Sequence, residues 1–238
     1  MAARNNASWC EAMCQAHGRP GELSDLAWVN PQNNLAYYPN LVTLSPSVSG
    51  ADVREALRGE SQGAMSVKDS FASLDLLPDD YGILFEAEWI HRPAPAARAG
   101  CQWMRITDID DLRQWEKARS GSEESSGEFP ESLLRDDRVI IVGGFSGDRL
   151  ESGAVLHISH GVAGVSNVFG PAGEAESSWA GLVSCAAREV PGVDLVGYER
   201  GAQLAAATAN GFHSLGPLRV WQRNIHRECR KVDEPCVS

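Results

Sequence analysis

Residues 162–198 read VAGVSNVFGPAGEAESSWAGLVSCAAREVPGVDLVGY, and this stretch decides the fold. Two short apolar runs in it, Val162–Phe169 and Val193–Tyr198, have the length and the β-branched content of buried strands. The segment 177–189 between them has apolar residues at helical spacing, and either of its first two serines is suited to cap it. A strand, a helix and a second strand in this order predict two parallel neighbouring strands.

The rest of the second half alternates short strands with amphipathic helices around this stretch. The predicted order from residue 102 onward is β-α-β-β-β-α-β-α-β, which is typical of the α/β class with a mixed sheet. The further predicted segments are strands at 102–106, 138–145, 152–159 and 217–223, and helices at 108–119 and 202–209.

The first half also mixes helices with strands, but its signals are weaker. Its predicted segments are a helix at 8–17 that begins at a serine cap, a strand at 40–44, a helix at 49–59 and a strand at 81–90. The Pro- and Ala-rich segment 92–100 then interrupts regular structure. We therefore predict an N-terminal half at 1–97 and a second domain at 98–238.

Composition and charge exclude several classes of function. The formal net charge is -11 at pH 7, which disfavours binding to nucleic-acid phosphates and to anionic membrane surfaces. No run approaches the roughly 18 apolar residues of a membrane span, and the first ten residues lack the apolar core of a signal peptide. We expect a cytoplasmic protein that binds neither nucleic acid nor membrane, with its six cysteines as free thiols.

The element order of the second half resembles that of the GCN5-related N-acetyltransferase (GNAT) superfamily. The resemblance covers residues 102–223, and its matching segments are Gly164–Phe169, Val193–Tyr198 and Asn210–Phe212. It implies a mixed α/β sheet in which a strand, a loop and a helix hold coenzyme A. It also implies acyl transfer from a thioester to an amine. The N-terminal half is predicted to be a degenerate GNAT-like copy or an accessory half.

The acyl-donor loop departs from the family pattern. Family members have Gln/Arg-x-x-Gly-x-Gly/Ala, whose N–H groups bind the coenzyme A pyrophosphate, whereas this chain has GPAGEAESS at 170–178. Gly170, Gly173, Ser177 and Ser178 are the residues that the resemblance assigns to the donor site. The basic or amide residue is missing, and two glutamates of the segment lie where phosphates would bind, which is electrostatically unfavourable.

The family's usual acid is missing as well. Many members place a tyrosine in the last helix to protonate the leaving thiolate, and the matching position here is Ala207. Three interpretations stay open. The donor is acetyl-coenzyme A or another acyl-coenzyme A bound by an altered loop, the donor is the acylated pantetheine of an acyl carrier protein, or the chain is a non-catalytic binding module.

The strand that matches the family's donor strand supplies most of the predicted site. Its main chain is expected to bind the donor arm at Val165, Ser166, Val168 and Phe169. Asn167 is polar within this apolar run and can hydrogen-bond the donor or the acceptor, although a buried asparagine also serves as a structural bridge.

Candidates for the acid and the base lie on two other strands. Tyr198 is the nearest replacement for the missing acid, although core packing explains an aromatic residue there equally well. Glu88 of YGILFEAEWI (81–90) is the candidate general base, with Glu86 as the alternative, and a solvated strand face also explains this pair. Glu199 follows Tyr198 at the end of its strand.

Three further groups of residues carry weaker signals. Trp28, Tyr37 and Tyr38 are predicted to line an acceptor pocket or to join the two halves. His157 and His160 flank a predicted hairpin turn and are expected at the surface. The possible zinc ligands are Cys10, Cys14 and His17 near one terminus and His226, Cys229 and Cys236 near the other, but their spacing is too loose to predict a metal site.

The sequence therefore predicts an acyltransferase that moves an acyl group from an acyl-coenzyme A thioester to the amine of a small metabolite. Specialised metabolism is the expected setting. The prediction depends on one structural feature, which is a gap that opens between the two parallel strands after Phe169 and admits an extended pantetheine chain.

Overall fold

The computed structural model of this chain describes residues 1–58, 65–96 and 103–223. Within these ranges, five α-helices accompany one sheet of eleven strands. The helices are α1 (Ala2–Ala16), α2 (Gly50–Ala56), α3 (Ile109–Ser120), α4 (Ala175–Glu189) and α5 (Gly201–Ala209). The strands are β1 (Glu22–Leu23), β2 (Ala27–Val29), β3 (Leu41–Thr43), β4 (Ser66–Asp69), β5 (Tyr81–Arg92), β6 (Trp103–Arg105), β7 (Val139–Ser146), β8 (Arg149–Ser159), β9 (Val162–Phe169), β10 (Asp194–Glu199) and β11 (His213–Arg223).

The sheet joins both halves of the chain in the order β1-β2-β3-β4-β11-β5-β10-β9-β8-β7-β6. Two pairs are parallel, β3 with β4 across α2 and β9 with β10 across α4, and the other pairs are antiparallel. The last strand of each half lies beside the other half, because β5 pairs with β10 and β11 pairs with β4. The mixed α/β class is confirmed. The predicted boundary between 97 and 98 lies outside the described residues and stays a prediction.

Alternating residues of the central strands supply two cores on opposite faces of the sheet. Ala163 and Leu195 pack with α4 and α5, whereas their neighbours Val162 and Val196 pack on the face that α1 covers through Ala2. Five tryptophans predicted as core residues are buried, namely Trp89, Trp103, Trp115, Trp179 and Trp221. The central strands are therefore covered on both sides, which fixes their register.

The first helix begins six residues before its predicted start. We expected Ser8 to cap it, but α1 begins at Ala2, and the Ser8 hydroxyl contacts Nε2 of His160 at 3.0 Å instead. The early turn forms although asparagines favour helices weakly, because Asn5 donates to the His157 carbonyl oxygen and to Ser159 Oγ, both at 2.9 Å. Tertiary contacts outweigh local propensity here.

The start of α4 also differs from the prediction. The helix begins at Ala175 after Glu174, so neither Ser177 nor Ser178 is its cap. Both serine hydroxyls donate to the Glu174 carbonyl oxygen, at 2.9 and 3.0 Å. The described helices include none with both the length and the hydropathy that a bilayer span requires.

Candidate active site between β9 and β10

The parallel strands β9 and β10 separate after three paired residues. Val162–Gly164 pairs with Asp194–Val196, and the ladder stops there. At the next position, a Cβ on Gly197 would approach the Val165 carbonyl oxygen at 2.9 Å, so only glycine fits without displacement. Pairing thus ends after Gly164, and the strands still touch at Val165 and Gly197. The gap lies beyond this contact, where Ser166 and Tyr198 line a cavity, rather than after Phe169 as predicted.

Two adjoining cavities lie at this gap. The β9 cavity, of about 310 Å³, is lined by Asn6, Trp9, Cys10, Tyr37, Tyr38, Lys68, Arg119, Glu128, Val165, Ser166, Asn167, Tyr198 and Glu199. The β5 cavity, of about 610 Å³, is lined by residues 33–40, Ser66, Lys68, Leu84, Phe85, Ala87, Tyr198, Glu199, Arg200, Val220 and Gln222. The shared wall consists of the five residues that line both, Tyr37, Tyr38, Lys68, Tyr198 and Glu199.

Strand β9 bulges where it lines its cavity. Its pairing with β8 passes from Ser166–Val155 to Phe169–Gly153, so two residues, Asn167 and Val168, oppose one. Asn167 has a φ of 53°, in the left-handed region that asparagine tolerates better than most residues. A bulge leaves its extra residue outside the ladder, so main-chain groups of this segment are available to another partner.

An ion pair between the end of α3 and Glu128 contacts the bulge. Arg119 pairs with Glu128, and Nη1 of Arg119 donates to Oδ1 of Asn167 at 3.3 Å. Burial raises the pKa of the Glu128 carboxyl, against the opposing effect of Arg119. Asn167 is thus oriented by a neighbouring cation, and Val168 and Phe169 pack in the cores on either side.

Glu199 is the carboxylate of the shared wall. Burial raises the pKa of its carboxyl to about 7, while the main-chain hydrogen bond and the positive charge of Arg200 lower it. A carboxyl with this pKa is about half deprotonated at neutral pH, so it can accept a proton and release it again. It therefore has the properties that a general base needs.

Tyr198 and Lys68 lie together on the shared wall. Nζ of Lys68 is 4.3 Å from the centroid of the Tyr198 ring, and the Trp89 ring packs edge-on against the same tyrosine at 5.6 Å. The Lys68 ammonium also donates to Oδ1 of Asn6 at 2.7 Å. The tyrosine predicted from the sequence thus borders both cavities beside a buried cation.

Glu88 and Glu86 occupy different positions from Glu199. Neither lines the β5 cavity or the β9 cavity. Glu86 is exposed and accepts two hydrogen bonds from Arg219, at 2.7 and 3.0 Å. Of the glutamates named from the sequence, Glu199 alone lines a cavity at the gap, which makes it a candidate base beside Glu88.

The donor loop is tightly folded around its first glycine. A Cβ on Gly170 would collide with Oγ of Ser178, which is buried, and Gly173 has a φ of 85° that favours glycine. No side chain caps the start of α4. Ser177 and Ser178 line a separate cavity of about 170 Å³ beside Trp103.

The space next to this loop has the wrong charge for phosphates. We call it the α4 cavity; it measures about 700 Å³ and includes Gly170, Pro171 and Glu174 in its wall. Its charged lining residues are Glu123, Asp148, Glu151 and Glu174 against Lys117 and Arg149. The guanidinium of Arg149 lies 3.7 Å from Glu151, so little positive charge is left for a diphosphate.

Of the remaining aromatic and histidine candidates, some line the cavities and others are buried in the core. Tyr37 and Tyr38 line both cavities, whereas Trp28 is fully buried and donates from Nε1 to Glu11 at 2.7 Å. His157, expected at the surface, is buried under Trp9 with a ring distance of 5.7 Å. It is buried because α1 packs on this part of β8, with Trp9 over the ring and Asn5 bonded to the His157 carbonyl oxygen.

The weak zinc candidates are not brought together as a site. Cys10 and Cys14 are buried free thiols whose pKa values are raised by burial. His17 instead contacts the Glu128 carbonyl oxygen at 3.0 Å. The described residues contain no cluster of three suitable ligands, and His226, Cys229 and Cys236 lie outside the described residues.

Sequence reasoning missed Lys68, Arg119 and Glu128. Lys68 belongs to β4, a four-residue strand that the sequence does not predict, and its only apolar neighbour in the sequence is Val67. Arg119 is at the end of a correctly predicted helix, and Glu128 follows a polar loop, so neither pattern indicates a buried ion pair.

Comparison with known proteins identifies the fold. Neither a family model nor a curated protein matches the chain. Among solved structures, it is similar to a GCN5-related N-acetyltransferase from Kribbella flavida, with 14% identity, a TM-score of 0.60 and coverage of 94% of this chain and 96% of that one. A conserved protein of unknown function from Staphylococcus epidermidis matches with 8% identity, a TM-score of 0.60 and coverage of 86% and 93%.

A third similar structure is a putative acetyltransferase of the GNAT family from Novosphingobium aromaticivorans. It has 13% identity and a TM-score of 0.57, and the match covers 90% of this chain and 94% of that one. The chain therefore has the GNAT fold over nearly its whole length, which confirms the fold predicted for the second half and extends it to the first.

Proposed function

We propose that this chain transfers an acyl group from a thioester to the amine of a small molecule in the gap between β9 and β10. The observation that carries the proposal is Glu199, a carboxyl with a pKa of about 7 on the wall shared by two cavities at this gap. The GNAT fold supports the same reaction class. The cytoplasmic location and a setting in specialised metabolism stay predictions.

Each step of the reaction has a candidate group in this site. Glu199 takes a proton from the ammonium form of the acceptor, and the free amine attacks the thioester carbonyl carbon. The main chain of the bulge at Asn167 and Val168 donates to the carbonyl oxygen as its negative charge develops. The C–S bond then breaks, and the Tyr198 hydroxyl supplies a proton to the leaving thiolate. The product amide nitrogen gives its second proton to the resulting tyrosinate, and Glu199 returns its proton to solvent.

The donor site fits a pantetheine arm better than a nucleotide. Val165, Ser166 and the bulge offer main-chain groups to an extended amide chain. The α4 cavity, by contrast, has four carboxylates and two cations in its wall, an arrangement that disfavours a diphosphate. An acyl-coenzyme A is the first candidate donor, and this charge favours a second, the acylated pantetheine of a carrier protein.

The base is tested by comparing two glutamates. Purified protein is incubated with acetyl-coenzyme A and a panel of primary amines, and thiol release is measured. Glu199→Gln is expected to lower kcat/KM by about 10²- to 10⁴-fold, the range typical of a general base. Glu22→Gln, on the exposed strand β1, is the matched control and is expected to leave the rate unchanged.

The pH profile and Glu88→Gln make this test decisive. The wild-type kcat/KM should rise as the pH increases through about 7 and then level off, because the base acts when deprotonated. Glu199→Gln should lose this step. A large loss in Glu88→Gln with normal Glu199→Gln activity would return the assignment to Glu88, and a chain without thiol release on any amine would contradict the proposed function.

A donor analogue that lacks the nucleotide distinguishes acyl-coenzyme A from a carrier-protein thioester as the donor. S-acetyl-N-acetylcysteamine has the thioester end of the arm without the diphosphate. If it, or an acetylated carrier protein, is used with a kcat/KM at least equal to that of acetyl-coenzyme A, the pantetheine donor is favoured. A strong preference for acetyl-coenzyme A would show that the acidic α4 cavity does not exclude the nucleotide.

A further inference from the structure

The N-terminal half contributes a buried cation to the candidate active site of the C-terminal half. Lys68 is on β4 and is only 3% exposed, yet it lines both cavities at the gap. Its ammonium contacts Asn6, a neutral amide, and the ring of Tyr198. Within the described parts of the chain, no carboxylate lies within ion-pair distance of it.

This arrangement is unusual because burying a charge is costly unless an opposite charge or several hydrogen bonds compensate for it. The other cation of the β9 cavity, Arg119, has its carboxylate in Glu128. Lys68 has one neutral acceptor for three N–H donors, so it keeps bonding capacity that is directed at the cavities.

We propose that Lys68 binds a carboxylate on the acceptor, so that the substrate is an amine with a separate carboxylate and an apolar body. This inference rests on the proposed function, since it names the substrate class of the same site. One lysine beside one amide suits a single negative charge, whereas phosphate groups are more often held by several cations or by arginine forks.

The walls of the β5 cavity indicate the rest of the acceptor. Leu84, Phe85, Ala87 and Val220 line it together with Tyr37 and Tyr38. Arg200, exposed at the edge of the cavity with its guanidinium 4.7 Å from the Phe85 ring, adds positive charge at the entrance. Its volume of about 610 Å³ is within the range of small-molecule sites and has room for an aromatic or branched side chain.

The kinetic test uses amines matched in all but the carboxylate. Acylation of phenylalanine is compared with that of 2-phenylethylamine, and the pairs tryptophan with tryptamine and leucine with isopentylamine are treated in the same way. We expect kcat/KM to be about tenfold or more higher with the carboxylate, the size of a charge-assisted hydrogen bond. Lys68→Met should remove the preference by lowering kcat/KM on the carboxylates by about tenfold more than on the plain amines, and Lys68→Arg should retain the preference.

A binding test keeps this inference separate from catalysis. The melting temperature is measured with 3-phenylpropionate and with 3-phenylpropanol, its uncharged counterpart, in wild type, Glu199→Gln and Lys68→Met. We expect stabilisation by the carboxylate only, in the first two proteins and not in the third.

Several outcomes distinguish the two proposals. Carboxylate binding without acylation of any amine would contradict the proposed function and leave the Lys68 site standing. Equal acylation of both members of each pair, or no difference between 3-phenylpropionate and 3-phenylpropanol, would overturn the Lys68 proposal while leaving acyl transfer intact. If Lys68→Met does not fold, the wild-type comparisons alone decide.

Discussion

Both halves of the sheet contain a parallel strand–helix–strand crossover, but the two crossovers differ at the residue that follows the last pair. β3–α2–β4 and β9–α4–β10 are both parallel strand pairs joined by a helix, and the ladder of each ends early. Aligned on their last paired residues, Lys68 corresponds to Val196, and Asp69 corresponds to Gly197. The first position beyond the ladder therefore has a carboxylate in one half and no side chain in the other.

The two residues at this position make different contacts. Asp69 is fully buried, and its oxygens accept from the backbone N–H groups of Phe71, at 3.2 Å, and Leu74, at 2.8 Å. Thr43 Oγ1 also accepts from the Ser70 backbone N–H at 2.8 Å, which ties the two strand ends together. Gly197 offers no such bond, and cavities adjoin the opening beside it. The same topology thus gives a closed structural half and an open half.

The largest expected effect tests the closed half. Asp69→Ala would leave one buried and one partly buried N–H group unpaired, and we expect the free energy of unfolding to fall by about 4 kcal/mol. Urea denaturation measures it. Asp75→Ala is the control, because Asp75 accepts a single exposed bond, and its cost should stay below about 1 kcal/mol. Similar losses in both variants would show that Asp69 does not close this half.

The second prediction concerns the helix that covers the open half. Burial lowers the pKa of the His157 imidazole to about 4, and both ring nitrogens lack a hydrogen-bond partner among the described residues. Because the folded pKa is below the unfolded value of about 6.5, the unfolded state binds the proton first. Stability is therefore lost as the pH falls from 6.5 to 4, by about 3 kcal/mol.

His157→Leu isolates this contribution. The difference in unfolding free energy between wild type and variant should grow in favour of the variant over this pH range. A difference in unfolding free energy that stays constant from pH 7 to pH 4 would mean that the packing of α1 over His157 does not keep the imidazole neutral.

The third prediction tests the open half directly. A methyl group in Gly197→Ala would approach the Val165 carbonyl oxygen at 2.9 Å and force that strand segment to move. A displacement of about 1 Å at a reaction centre costs on the order of 100-fold in rate, so we expect a loss of this size in acyl transfer. Gly192→Ala, in the turn before β10, is a control for backbone strain. An unchanged rate of acyl transfer in Gly197→Ala would show that the activity does not depend on the strand geometry at this gap.

The sequence predicted the frame of the open half well because its strands are buried and continuous. β9 was predicted to the residue, and α4, β10 and α5 within two residues. β4 and the early turns of α1 were missed, since their formation depends on contacts with distant strands rather than on local pattern. The pairing of β5 with β10 and of β11 with β4 could not be predicted either, because a strand's own residues do not specify a partner that is distant in the sequence.

The residues of the candidate site could be predicted only where they lie on the well-predicted strands β9 and β10. Val165, Ser166, Asn167 and Tyr198 follow from one crossover, and all four line the β9 cavity. The alternation of residues in β5 cannot tell which face of the strand borders a cavity, so it predicts Glu88 as a candidate base without reference to the two cavities. Finding Glu199 requires the depth of burial of its carboxyl, which is a property of the assembled sheet.

The smallest expected effect compares the two helix starts. Ser49 caps α2 in a capping box with Asp52, whereas Glu174 precedes α4 and makes no side-chain cap. Ser49→Ala should lower the free energy of unfolding by about 1 kcal/mol. Glu174→Ala should lower it by no more than about 0.5 kcal/mol, since only a dipole interaction and a long, exposed hydrogen bond from Ser177 are lost. Urea denaturation of both variants measures the contrast. Equal losses would indicate that Glu174 caps α4 in solution, in which case its N–H groups are already occupied and cannot receive a donor's anionic group.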